Sequence, residues 1–213
     1  MFHDRIQAGL LLAAQLEKYK NDQGIVLAIP RGGVPVGYAV ALELDFPMEV
    51  VLTKKIGHPN NKEYAIGAAS LTDYFIVPEE YVSESYISEE LQRVRTRLQE
   101  MNELFMGDHK PASLKGKTVI IVDDGIATGN TILGTVQLIR KRSPAKIVIG
   151  APVAARSSVK MLEKEVDEII VLSTPPNFFG VGQFYSNFDE VSDDEVISYL
   201  DKLRDRRETG HVS

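Results

Sequence analysis

The run Val119-Ile120-Ile121-Val122-Asp123-Asp124-Gly125-Ile126-Ala127-Thr128-Gly129-Asn130-Thr131 holds the residues best spaced to do chemistry. Four β-branched residues predict a buried strand. Two adjacent carboxylates end it, a loop of small and hydroxyl-bearing residues follows, and a helix begins. A phosphate needs several donors converging from one side. The amides of 128–131, the hydroxyls of Thr128 and Thr131 and the Asn130 side chain supply them, and Gly129 lets the backbone come close. A helix dipole contributes ~0.3–1 kcal/mol, or ~2 when partly buried. Each hydrogen bond to a charged group contributes about 1.5–3 kcal/mol, so the donors set the affinity. Asp123 and Asp124 have a different task. They would repel a second phosphate and suit hydroxyl groups, as acceptors, or a metal. A phosphate flanked by a vicinal diol is a sugar 5-phosphate.

Three other segments have chemistry to offer. Ile29-Pro30-Arg31-Gly32-Gly33-Val34-Pro35 follows an apolar run and precedes a helix, so two glycine amides and Arg31 form a candidate second anion loop. Lys54-Lys55-Ile56-Gly57-His58-Pro59 places two cations in an acidic chain, where a multiply charged anion would need local attraction. The stretch 174–185 carries Phe178 and Phe179, which either stack on a flat ring or pack the C-terminal segment onto the core.

The elements that must position these residues alternate. Short apolar runs at 25–29, 50–53, 119–122, 147–153 and 168–172 predict strands. Between them, amphipathic spacing predicts helices over 34–44, 88–106 with Ser88 as cap, 131–142 and 157–166. A helix at 4–20 precedes them, and one at 193–206, capped by Ser192, follows. Residues 66–71 and 74–77 are short strands or a hairpin, and 57–61 is polar and turn-rich. Such alternation predicts an α/β fold with a doubly wound, mainly parallel sheet. Ligands of such sheets bind at the carboxyl ends of the strands, where the 123–131 loop lies. No linker divides the chain. One domain is expected over 1–213, with its core at about 22–175, an N-terminal helix at 4–20 and a C-terminal appendage at 176–213.

Composition bounds the rest. The 213 residues are 44% hydrophobic and 25% charged, enough for a sizeable core and against extended disorder. Lys and Arg number 24 against 30 Asp and Glu, a net charge of −6 that disfavours sequence-blind nucleic-acid binding. The absence of cysteine removes disulfides, thiolate metal sites and thiol nucleophiles. There is no apolar run long enough for a membrane span and no secretory leader, so a cytoplasmic protein is expected. Gly116-Lys117-Thr118 mimics the tail of a P-loop, but Pro111 stands where a glycine is required and a strand follows it. A phosphate-accepting receiver domain would explain Asp123 and Asp124 but gives 128–131 no task.

The 119–131 segment is similar to the phosphoribosyl-pyrophosphate (PRPP) signature of type I phosphoribosyltransferases: four apolar residues, two acidic ones and a loop containing Thr-Gly-x-Thr. The resemblance extends over roughly residues 3–200. It implies that Asp123 and Asp124 hold the ribose 2- and 3-hydroxyls and that Ala127, Thr128, Gly129, Asn130 and Thr131 cradle the 5-phosphate. Arg31, Gly32 and Gly33 would bind pyrophosphate, and a mobile loop at roughly 57–64 would close over the reaction centre. Lys54 or Lys55 would meet the leaving group, and Phe178 or Phe179 would meet the base. It further implies Mg²⁺ held mostly by ligand and water, with Asp123 and Asp124 reaching it through water, and a homodimer. Members acting on 6-oxopurines carry a carboxylate where this chain has Ala127. The expected reaction is transfer of ribose 5-phosphate to a nitrogen of a nucleobase or similar acceptor, with release of pyrophosphate. A non-catalytic PRPP-sensing regulator on the same fold is the alternative.

Overall fold

The computed structural model describes residues 1–77, 82–107 and 109–209. Helix α1 (Arg5–Leu16) is capped by Asp4, whose carboxylate accepts the Gln7 amide at 2.8 Å. A 3-10 turn (Glu17–Tyr19) leads to strand β1 (Gly24–Ala28), then helix α2 (Gly33–Leu44) and β2 (Met48–Val50). Strands β3 (Lys54–His58), β4 (Asn61–Ala69) and β5 (Tyr74–Ile76) follow, then the long helix α3 (Glu84–Met106). The second half runs β6 (Thr118–Val122), α4 (Asn130–Arg140), β7 (Lys146–Val153), α5 (Arg156–Leu162) and β8 (Glu168–Ser173). A 3-10 turn (Val181–Phe184) and α6 (Asp193–Thr209) complete it. Ser192 and Glu195 exchange capping bonds at the start of α6.

The central sheet has the order β2-β1-β6-β7-β8, and every pairing in it is parallel. Its two faces are both covered, as all-parallel sheets require. Along β1, Val26 and Ala28 face a core shared with α1, α2 and α6, while Ile25 and Leu27 face one shared with α4 and α5. In β6, Ile120 and Val122 point one way and Val119 and Ile121 the other. That two-residue alternation within an unbroken apolar run builds two cores from one strand. Helices α1 and α2 touch at Gly9, where a Cβ would lie 2.7 Å from that of Ala39.

A second, antiparallel sheet of order β3-β4-β5 lies under α3, with Ile56, Ile66 and Ala69 packed against Leu91, Val94 and Leu98. It also meets α4, where a Cβ on Gly134 would lie 2.6 Å from that of Ala68.

Several expected boundaries shift. Helix α3 begins at Glu84 with Ser83, not Ser88, as its cap, because the Ser83 hydroxyl accepts the Tyr86 amide. Strand β2 ends at Val50, and Lys54 already belongs to the other sheet. The largest difference is at 57–64. Where a mobile loop is expected, β3 and β4 pair with an irregularity at Gly57, leaving only 59 and 60 in the turn. Ile56 and Ile66 anchor this hairpin from its buried side, and the polar residues that read as a loop occupy the rest of it.

Leu98 is fully buried where α3 covers the antiparallel sheet. Leu98→Ala is expected to lower unfolding stability by about 2–5 kcal/mol in a denaturant titration. A loss below about 1 kcal/mol would contradict this packing.

Candidate functional site

Strands β1 and β6 are neighbours in register, Ala28 opposite Val122, so their carboxyl ends stand side by side. The ladder continues one residue further, the Ile29 amide donating to the Val122 carbonyl at 2.8 Å. Beyond that bond the two loops are in contact. A Cβ on Gly32 would lie 2.1 Å from Asp124 Oδ2, and one on Gly33 would lie 2.7 Å from the Val122 carbonyl oxygen. Neither position accepts a side chain, which accounts for the paired glycines after Arg31. The Pro30–Arg31 peptide is cis.

Asp123 Oδ1 accepts the Asp124 amide at 2.9 Å. Asp124 Oδ2 accepts Arg5 Nε at 2.9 Å, with the Arg5 and Asp124 side chains only 11% and 13% exposed. The Arg5 guanidinium lies 3.9 Å over the Phe188 ring and donates to the Asp189 carbonyl at 2.7 Å. From beneath, the Tyr185 hydroxyl donates to the Asp124 carbonyl at 2.6 Å. Burial, reinforced by the charge of Asp124, raises the Asp123 carboxyl well above the ordinary aspartate range. Burial also raises Asp124, against the opposing pull of Arg5. Burial and the neighbouring Asp124 charge raise the Tyr185 phenol, which keeps it a donor.

These groups border an open cleft of about 500 Å³, with Arg31, Gly32, Asp123, Asp124, Phe188 and Glu190 in its walls. Arg31 reaches across to the C-terminal segment, donating to Asp193 at 2.7 Å and Glu190 at 3.3 Å. The chain beyond Asp124 is pinned from below. Ile126 bonds to the ends of β7 and α5 through the Val153 carbonyl and the Ala155 amide, and Ser158 donates to the Ala127 carbonyl at 2.5 Å. Gly129 sits at φ +75°, a conformation that L side chains rarely adopt, so the turn calls for glycine. It is the N-cap of α4, which no side-chain hydrogen bond caps, with Ala127 and Thr128 just before it and Asn130 and Thr131 in the first turn. The arrangement suits an anion at an uncapped helix start beside a pair of hydroxyl-accepting carboxylates.

The structure thus brings Arg31, Gly32, Gly33, Asp123 and Asp124 together and places 127–131 directly downstream. Lys54 and Lys55 stand in the antiparallel sheet, opposite Ala69 and Ala68 of β4. Phe178 packs on Phe184, ring centres 5.5 Å apart, within a cluster that includes Val153 and Tyr185. Phe179 is 90% exposed. The residues that sequence reasoning missed are Arg5, Tyr185 and Phe188. Arg5 reads as a polar residue on an N-terminal helix, 119 positions from its partner, and no local pattern connects the two. Tyr185 lies within an aromatic stretch that draws attention for stacking, whereas it serves as a hydrogen-bond support.

Among the described residues, no group of three or more His, Cys, Asp or Glu is gathered to hold a metal ion. The carboxylate oxygens of Asp123 and Asp124 are nonetheless of the hard type that Mg²⁺ takes, and they fit an ion whose remaining ligands are substrate and water. No helix among the described residues is long and apolar enough to cross a membrane.

Comparison with known proteins gives a consistent picture. The family profile for the phosphoribosyl transferase domain matches residues 4–189. The Mycobacterium tuberculosis (strain H37Rv) protein Rv0571c, provisionally named a phosphoribosyl transferase, is 35% identical over 218 residues. That alignment takes in 100% of this chain and 49% of the relative, so the chain spans about half the length of the curated relative it matches. The crystal structure of TT1426 from Thermus thermophilus superposes with a TM-score of 0.89 at 35% identity, covering 95% of this chain and 99% of that one. A shorter similarity, 40% identity over 65 residues, links 30% of this chain to 23% of the ribose-phosphate pyrophosphokinase of Pyrococcus furiosus.

The raised Asp123 carboxyl has a consequence for stability. Folding takes up a proton there between the unfolded and folded titrations, so the contribution is most favourable at low pH and is lost as pH rises through the folded value. Asp123→Asn is therefore expected to raise the melting temperature at pH 7.5, with the gain shrinking on acidification. A lower melting temperature at pH 7.5 would contradict the burial argument.

Proposed function

This chain belongs to the phosphoribosyl transferase family, and from that premise we propose that it transfers ribose 5-phosphate from PRPP to a ring nitrogen of a nucleobase-like acceptor. The observation that carries the reading is the contact of the 31–33 loop with Asp124 at the ends of β1 and β6. In this reading the 5-phosphate rests on 127–131 and the ribose hydroxyls donate to Asp123 and Asp124. The pyrophosphate lies against Arg31 and the amides of Gly32 and Gly33. Three fixed contact points convert an encounter between donor and acceptor into an oriented one. The acceptor nitrogen forms a bond to the anomeric carbon as the carbon–oxygen bond to pyrophosphate breaks, and the nitrogen's proton passes to solvent. Positive charge gathers on the sugar ring and negative charge on the leaving group, so fixed dipoles and cations at both ends lower the barrier.

Mg²⁺, when bound with PRPP, supplies positive charge against the departing pyrophosphate. Asp123 and Asp124 would hold it through water. Arg31 is the nearest candidate for the leaving group's outer charge, with Lys54 or Lys55 approaching from the β3–β4 hairpin. The exposed ring of Phe179 is the candidate platform for the acceptor, and Phe178 would support it.

PRPP with Mg²⁺ is expected to raise the melting temperature, and Asp124→Asn to weaken PRPP affinity by about tenfold or more, each tenfold being about 1.4 kcal/mol. Calorimetry reads the affinity. Unchanged binding in the variant would remove the diol role. A nucleobase panel scored by pyrophosphate release then tests the transfer. Tight PRPP binding with a silent panel would replace the transferase with a PRPP-binding regulator.

A further inference from the structure

Arg5 makes three contacts. Its Nε donates to Asp124 Oδ2, one terminal nitrogen donates to the Asp189 carbonyl, and its guanidinium carbon lies 3.9 Å over the Phe188 ring. It stands at the first residue of α1, a helix fixed to the sheet by the fully buried Leu12 and Leu16. Asp124 is held from three other directions. Its amide donates to Asp123 Oδ1, its carbonyl accepts from Tyr185, and Gly32 presses on the carboxylate with backbone alone. Both carboxylates line the cleft, each with acceptor capacity beyond the bonds it makes to Arg5 or to a backbone amide. Two acceptors match two hydroxyls.

We propose that Arg5 is the positioning residue that makes this acid pair selective for a sugar phosphate with an intact 2,3-diol over its 2-deoxy counterpart. The assignment rests on the ribose-binding reading of Asp123 and Asp124. The logic is one of satisfied acceptors. A 2-deoxy sugar offers a single hydroxyl donor across the 2- and 3-positions, so one half-buried carboxylate oxygen loses its water and gains no partner there. That penalty applies only while Asp124 is held still. Without Arg5 the carboxylate turns toward solvent or toward the remaining hydroxyl, and the penalty disappears. A guanidinium suits this task because its fork fixes direction, whereas an ammonium supplies charge without fixing a plane.

The test is calorimetric titration of ribose 5-phosphate and 2-deoxyribose 5-phosphate, each with Mg²⁺, into wild type, Arg5→Met, Arg5→Lys and Phe188→Leu. Wild type is expected to prefer the ribo sugar by about tenfold or more. Arg5→Met should bring the ratio within about threefold, with Arg5→Lys recovering part of it. Phe188→Leu removes the ring beneath the guanidinium, and because that ring also packs on Tyr185 it loosens the support of Asp124 from two sides. It should move the ratio in the same direction, and it keeps the test decisive if Arg5→Met does not fold. A variant that weakens both sugars equally and keeps the wild-type ratio shows a purely structural Arg5 and overturns the proposal, while the ribose-binding reading stands. A wild type that treats the two sugars alike overturns that reading and the Arg5 assignment together.

Discussion

The contact between the backbone of Gly32 and the carboxylate of Asp124 depends on a register set four residues earlier. Ala28 faces Val122, one further ladder bond joins Ile29 to Val122, and only then do the chains separate. At that level any side chain on residue 32 would overlap Asp124 Oδ2. The 31–33 loop, the acid pair and the cleft they line therefore form one unit. A slip of one residue between β1 and β6 would turn every apolar side chain of the strand toward the wrong core, so the two cores protect the site's geometry.

The site works against the stability of the fold around it. Two carboxylates occupy adjacent positions at a buried strand end, and burial disfavours the charge on both. One guanidinium answers one of them. Asp123 leans on a backbone amide, which offsets less than a full charge would. A strand ending in Asn or Ser would fold more comfortably. Unfavourable charge placed beside an open cleft is a physical sign of a site prepared for a ligand with its own hydroxyls or its own cation.

What could be read from the chain alone was whatever local pattern encodes. The unbroken apolar runs of β1 and β6 imply burial on both faces, and the step from Val122 to Asp123 marks where the strand leaves the core. The glycines at 32 and 33 are legible because a strand precedes them and a helix follows. The β3–β4 hairpin was hidden because its polar residues outnumber its two buried isoleucines, so alternation looked like loop. Ser88 has the chemistry of a cap, but Ser83 does too, and only packing chooses between them. Arg5 lay beyond any local rule. Its role follows from where α1 and the C-terminal segment come to rest, which is a property of the assembled layers.

The two cations of the cleft differ in their exposure. Arg5 is 11% exposed, whereas Arg31 is 45% exposed and held by Asp193 and by Glu190, the latter largely in water. Added salt shortens the reach of charges in solvent to about 8 Å at physiological ionic strength and less above it, while desolvated pairs feel little of this. Ionic strength therefore acts on the mouth of the cleft and spares its floor. Raising it weakens the tie between Arg31 and the 190–193 segment more than the tie between Arg5 and Asp124.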